Sequence, residues 1–355
     1  MSRINNCQYC LGHQESKLLG AGRSEDQIAG LDGDWSEFEP HQRAAFAFAR
    51  KFTLEPFAFT DDDILRLRTH FTDLQILEMI LSMSGNNSIN RWKEGVGVPQ
   101  RQDEGGYSRM ATRQGEPADP KLPRGTYLTP TSKKYETHVT SIIDLTGTQR
   151  LDSTCATVAK RPKLESMETV TKKLIECRTR TARLPLLADE IVRTTLPAVA
   201  NSSGDIPNWI KLLAYFPTAG ASRLDTYTAA ESGGDLSPLL KSQLAWIVAR
   251  QDQAWYALGQ SMSRLKAAGQ TDSDIVKLDG DWSTFSVREQ ALFTIAKNLG
   301  MSPVILTDRE VANAIAHAGP RDTVQTISYV NSRASFNRLT ESVGLPLESQ
   351  SAKNR

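Results

Sequence analysis

The six residues LDGDWS at positions 31–36 recur unchanged at positions 278–283. The offset of 247 residues carries 3–99 onto 250–346 without a gap, and 31 of those 97 pairs are identical. Identity at that level over an unbroken stretch marks an internal duplication, so the chain has to be read as two copies of one unit. The identical pairs include Tyr9 with Tyr256, Leu11 with Leu258, Gly12 with Gly259, Trp35 with Trp282, His70 with His317, and Asn90-Arg91 with Asn337-Arg338. LDGDWS itself reads as a turn with a tryptophan anchor. The two histidines occur in both copies and read as scaffold.

On either side of that turn the pattern is helical. Residues 40–52, PHQRAAFAFARKF, place a proline in the first turn and gather Phe46, Phe48 and Phe52 in an apolar-rich face. Thr60 precedes a helix over 61–70, and in the second copy Thr307-Asp308-Arg309-Glu310 matches a capping box. A further helix begins near Asp73 and near Asp322 and ends near Gly97 and Gly344, with a proline just beyond each. No stretch alternates as a strand does, and the expected class is all-α.

Between the copies, residues 100–183 are polar and rich in Gly, Pro, Ser and Thr, which predicts a linker with one short helix near 164–178. The second copy then gains a lead-in over 184–249, in which Ser237-Pro238 opens a helix. The expected units are therefore 1–99, a linker at 100–183, a second unit at 184–346 and a tail at 347–355. The first unit, without such a lead-in, is expected to be N-terminally short, by truncation or by borrowing helices from another subunit.

The chemistry sits ahead of the first turn, in RINNCQYCLGH at 3–13. Cys7 and Cys10 are three apart and His13 is three further on, so on a helix they share one end and one face. A free thiol with a pKa of about 8.5 is only about 3% ionised at neutral pH, and a helix N-terminus or a nearby cation raises that fraction. The larger benefit of the pair is that once one sulfur is oxidised the other is in place to resolve it. At the same offset Cys7 falls on Ala254, Cys10 on Ala257 and His13 on Gln260. Only the first unit can do dithiol chemistry, and the second reads as structural, regulatory or ligand-binding. The same two cysteines with His13 form half of a zinc site, but no second ligand pair is evident. Inert buried thiols are the remaining alternative.

The chain of 355 residues has a formal net charge of +1, which calls for no nucleic acid, and no apolar run approaches the roughly 20 residues of a membrane span. The first residues lack the apolar core of a signal peptide, and the four cysteines, Cys7, Cys10, Cys155 and Cys177, are too few for a disulfide framework. A cytoplasmic location is expected. Cys155 and Cys177 carry no motif spacing.

SRINNCQYCLGH, the later stretch DILRLRTHFTDLQILEM and the INRW segment together resemble the carboxymuconolactone decarboxylase and alkyl hydroperoxidase D-like family. The resemblance implies two alkyl hydroperoxidase D-like helical units in tandem, the second degenerate, and assembly into homo-oligomers. It implies a thiol peroxidase of peroxiredoxin type, or a disulfide reductase, acting on a hydroperoxide or disulfide substrate, with no cofactor and with electrons from a partner dithiol protein. Cys7 and Cys10 match the redox pair. His13 stands close to the relay histidine, which in many members falls one residue later, at Gln14 here. The relay glutamate would lie about 12 residues, some three helical turns, before Cys7 and so upstream of Met1, and its place in the second unit is near Ser242. The other branch of the family implies a cofactor-free lactone decarboxylase, and a non-catalytic assembly or binding protein is the third expectation.

Overall fold

A computed structural model describes residues 1–98 and 164–348, apart from 6, 203, 303 and 305. Every regular element among them is helical, so the class is all-α. The first repeat contains α1 (Gln8–Gly20), α2 (Glu25–Ala29), α3 (Pro40–Leu54), α4 (Asp61–Arg68) and α5 (Asp73–Gly95). Next come α6 (Met167–Thr179), α7 (Asp189–Thr195), α8 (Asn208–Leu213) and α9 (Pro217–Ser232). The second repeat follows as α10 (Pro238–Asp252), α11 (Trp255–Ala267), α12 (Asp272–Lys277), α13 (Val287–Gly300) and α14 (Asp308–Val343). Helix α14 joins the counterparts of α4 and α5. It breaks at Gly319, whose φ of +79° only glycine adopts without strain, and at Pro320. These stand where the first repeat has Thr72 and Asp73, so the long helix of the second repeat resumes at 320 rather than at the expected Asp322.

The helix starts are written in their caps. Thr72, Ser286 and Thr307 each accept the backbone N–H three residues on, while the side chain there returns a bond to the cap. The Ser237 side chain caps α10 and Pro238 fills its first turn. Each cap contributes about 1 kcal/mol. The repeated turn has the same geometry in both copies. Trp35 and Trp282 hold φ of 63° and 64°, and each indole Nε1 donates to a carbonyl four residues back, Leu31 O and Leu278 O, at 2.8 Å. That hydrogen bond and ring packing against Phe46 and Phe293 hold a backbone conformation uncommon for an aromatic residue.

The expected linker lies outside the described residues as far as 163. Beyond that point the chain does not behave as a linker. The helix expected near 164–178 is α6, whose Val170, Leu174 and Cys177, spaced four and three apart, are buried in the common core. Leu347 N donates to Cys177 O at 3.0 Å, and Arg180 pairs with Glu341 at 3.0 Å. Packing onto the second repeat therefore begins before the expected boundary at 184.

The two repeats meet along α5 and α14, which run antiparallel. Ser84 and Ser335 face each other, their hydroxyls 2.6 Å apart, each also reaching the other's carbonyl. Gly95 lies so close to Ile327 that a Cβ there would stand 2.7 Å from the Ile327 side chain. Two arginines then cross the interface. Arg91 of α5 donates to Met301 O at the end of α13, and Arg338 of α14 donates to Thr53 O at the end of α3. Each guanidinium thus covers the C-terminus of a helix in the other repeat, where partial negative charge collects. Among the described residues no helix is long and apolar enough to cross a membrane.

Candidate functional site

Helix α1 starts at the first cysteine. Cys7 is its N-cap, with φ −88° and ψ 93°, and its sulfur accepts the N–H of Cys10 at 3.3 Å. Cys7 and Cys10 are joined as a disulfide with their Cα atoms 5.3 Å apart. Only 1% of Cys7 and 4% of Cys10 is exposed. The loop ahead of the pair is fastened from α5: Asn5 donates to Asn87 Oδ1 at 2.9 Å and Asn90 Oδ1 at 3.2 Å, and accepts from Arg91 at 2.6 Å. The Asn90-Arg91 pair therefore ties α5 to the segment carrying the dithiol.

His13 lies one turn beyond Cys10 on α1. Its pKa is lowered from the ordinary imidazole value by burial first and then by the charges of Lys17 and Lys93. The imidazole is thus neutral at pH 7 and able to accept a proton. Lys93, in the last turn of α5, holds its amine 3.7 Å from the centre of the Tyr9 ring, the residue between the cysteines.

Lys93 and Asn5 went unnoticed in the sequence, although the signal was present. Lys93 follows the repeated Asn90-Arg91 by two residues, and the offset of 247 puts Thr340 in its place, in the repeat that has alanines for both cysteines. In that second repeat Ala254 caps α11 without a side-chain bond, Tyr256 is buried with its hydroxyl 2.5 Å from Glu348 Oε1, and Tyr256 N donates to Glu341 Oε1 at 3.2 Å. His70 and His317 are exposed and distant in sequence from the pair. Cys155 lies outside the described residues. Cys177 is a free, buried thiol, which burial pushes up to about 11. Among the described residues no cluster of three His, Cys, Asp or Glu side chains could hold a metal ion.

A cavity of about 480 Å³ opens beside α1. Leu11, Glu15 and Leu18, spaced four and three residues apart, line it from one face of the helix. Ile28, Leu31, Trp35 and Phe46 form the far wall. In the second repeat α10 lies on the corresponding surface, packed on α11 and α13, and Trp246 donates to Asp279 at 2.9 Å. Asp279 is the counterpart of Asp32, which lines the cavity.

No family model matches the chain, and no curated protein does. Among solved structures the chain is similar to a cysteine-to-alanine variant of the debrominase Bmp8 in complex with 2,3,4-tribromopyrrole. The match has 12% identity and a TM-score of 0.41, and covers 46% of this chain and 90% of that one. A likeness at that level assigns neither family nor activity.

Proposed function

We propose that the first repeat is a dithiol oxidoreductase that reduces a hydroperoxide or a disulfide, the activity implied by its resemblance to alkyl hydroperoxidase D-like proteins. One observation carries this reading: Cys7 and Cys10 are bonded at the capped N-terminus of α1. In the reduced protein Cys7 holds the position where thiolate is best stabilised, receiving the Cys10 N–H and the positive end of the helix. Its thiolate attacks the outer oxygen of a hydroperoxide, the O–O bond breaks to leave a sulfenic acid at Cys7, and the departing alkoxide takes up from solvent the proton that Cys7 released on ionising, giving the alcohol. Neutral His13 takes the proton of Cys10, whose sulfur then attacks Cys7 and expels water. The sum is one dithiol and one hydroperoxide giving one disulfide, one alcohol and one water. A dithiol protein returns the two electrons and two protons by thiol–disulfide exchange. The apolar cavity along the α1 face suits the organic part of the substrate.

The test is a count of free thiols on the reduced full chain before and after tert-butyl hydroperoxide. The expected result is the loss of two thiols, abolished in Cys7→Ser. No loss in the parent protein would overturn the proposal.

A further inference from the structure

The second repeat lacks the dithiol, yet at the place corresponding to His13 it has a half-open cavity. Gln260, at the His13 position, lines a space of about 250 Å³ together with Trp209, Tyr227 and Phe336. The three rings meet edge to face, with centroids 5.5 to 5.6 Å apart and planes at 78° to 90°. Two arginines also line it. Arg333 stacks its guanidinium 4.5 Å from the Phe336 ring and pairs with Glu231 at 2.8 Å, and Arg264 pairs with the other oxygen of the same carboxylate at 2.9 Å. Glu231 also accepts from the Tyr329 hydroxyl at 3.1 Å.

Charge and hydrogen bonding are both left incomplete there. Two guanidiniums share one carboxylate, so the cavity wall carries an excess positive charge. Arg333 is 5% exposed, and the Nε groups of Arg333 and Arg264 are buried without an acceptor. A buried guanidinium donor left unmatched costs stability unless something accepts from it. The counterparts in the first repeat are His13, Lys17, Asn86 and Ile89, and Ile89 is 54% exposed where Phe336 is buried. Two of the three rings come from the lead-in of the second repeat, Trp209 from α8 and Tyr227 from α9.

We propose that this cavity binds a small planar aromatic carboxylate, its ring among Trp209, Tyr227 and Phe336 and its carboxylate on Arg264 and Arg333. Three mutually perpendicular rings offer edges and faces to a flat guest, and the guanidinium pair supplies the charge-assisted donors a carboxylate needs. The volume limits the ligand to a single ring or a compact bicycle. The site is independent of Cys7 and Cys10 and does not rest on the redox activity.

The experiment is a titration of the full chain with benzoate, followed by tryptophan fluorescence and calorimetry, with benzamide and cyclohexanecarboxylate as comparison probes. Benzoate is expected to bind saturably with a Kd at or below about 1 mM. Benzamide and cyclohexanecarboxylate should each bind about tenfold more weakly or worse. Arg264→Gln, at the more exposed edge, should lower benzoate affinity by about tenfold, and Cys7→Ser should leave it unchanged. Arg333→Met should weaken binding further; should that variant fail to fold, Arg264→Gln alone decides. Absence of saturable binding, equal affinity for benzamide, or unaltered affinity in Arg264→Gln would overturn the assignment.

Discussion

Arg91 and Arg338, the same residue in the two repeats, are both fully buried and both donate to the hydroxyl of Ser302, at 2.6 and 2.7 Å. Their other partners differ in charge. Arg338 pairs with the Asp252 carboxylate at 3.1 Å, whereas Arg91 meets only neutral acceptors, Asn5 among them. Arg338→Met strands a buried carboxylate, with an expected cost of about 3–5 kcal/mol. Arg91→Met removes a cation that its neighbour repels and leaves only amide and hydroxyl groups short of a donor, about 1–3 kcal/mol. Denaturant unfolding of both variants checks the order; Arg91→Met as the more damaging change would contradict it.

Asn5 occupies the position of Asp252, so Asn5→Asp gives Arg91 the anion that Arg338 already has. The new carboxylate, paired with a buried guanidinium, should titrate below its unfolded value of about 3.9. Its contribution is then fully present above about pH 5 and is lost as pH falls through the unfolded and then the folded pKa. Melting of the variant and its parent from pH 3 to 7 should show a difference in midpoint that grows with pH up to about 5 and then levels off.

On the proposed dithiol mechanism, the lowered pKa of His13 sets the acid limb of the rate. With the folded value below the unfolded value of about 6.5, the unfolded chain binds more protons between the two, so this group adds to stability as pH rises through that window and contributes no slope above it. The rate of hydroperoxide-driven thiol loss should fall as pH drops through the folded pKa of His13. Lys93→Met removes one of the charges that lower this pKa and should move the acid limb to higher pH. An unmoved limb in Lys93→Met would remove Lys93 from the site.

Cys177 provides a thiol with the opposite behaviour. It is 2% exposed and its pKa is pushed up to about 11 by burial. Iodoacetamide at pH 8 should therefore leave Cys177 unmodified in the folded protein and label it on unfolding. Mass spectrometry of tryptic peptides reads this directly. Because the folded pKa exceeds the unfolded one, this group also makes stability decline between about pH 9 and 11.

Much of the architecture was legible because it depends on local signals that the duplication shows twice. Thr307 with Glu310, Ser237 with Pro238, and the tryptophan of LDGDWS each specify a cap or a turn within four residues. The packing of α6 was hidden because its three buried residues sit in a stretch whose composition is otherwise polar. The spacing placed Cys7 and Cys10 at one end of a helix, but Lys93, eighty-four positions beyond Tyr9, reaches that ring only because α5 lies across α1. Likewise the cavity at Gln260 depends on α8 and α9, which have no partner in the first repeat against which to be compared.

The crossed arginines have a consequence for cooperativity. Arg91 closes a helix end in the second repeat and Arg338 one in the first, so melting either half uncovers helix-end carbonyls in the other. Duplicated units often behave as beads that unfold one by one. Here the two halves are tied end to end, and calorimetry is expected to show one transition shared by the half that carries the dithiol and the half that does not.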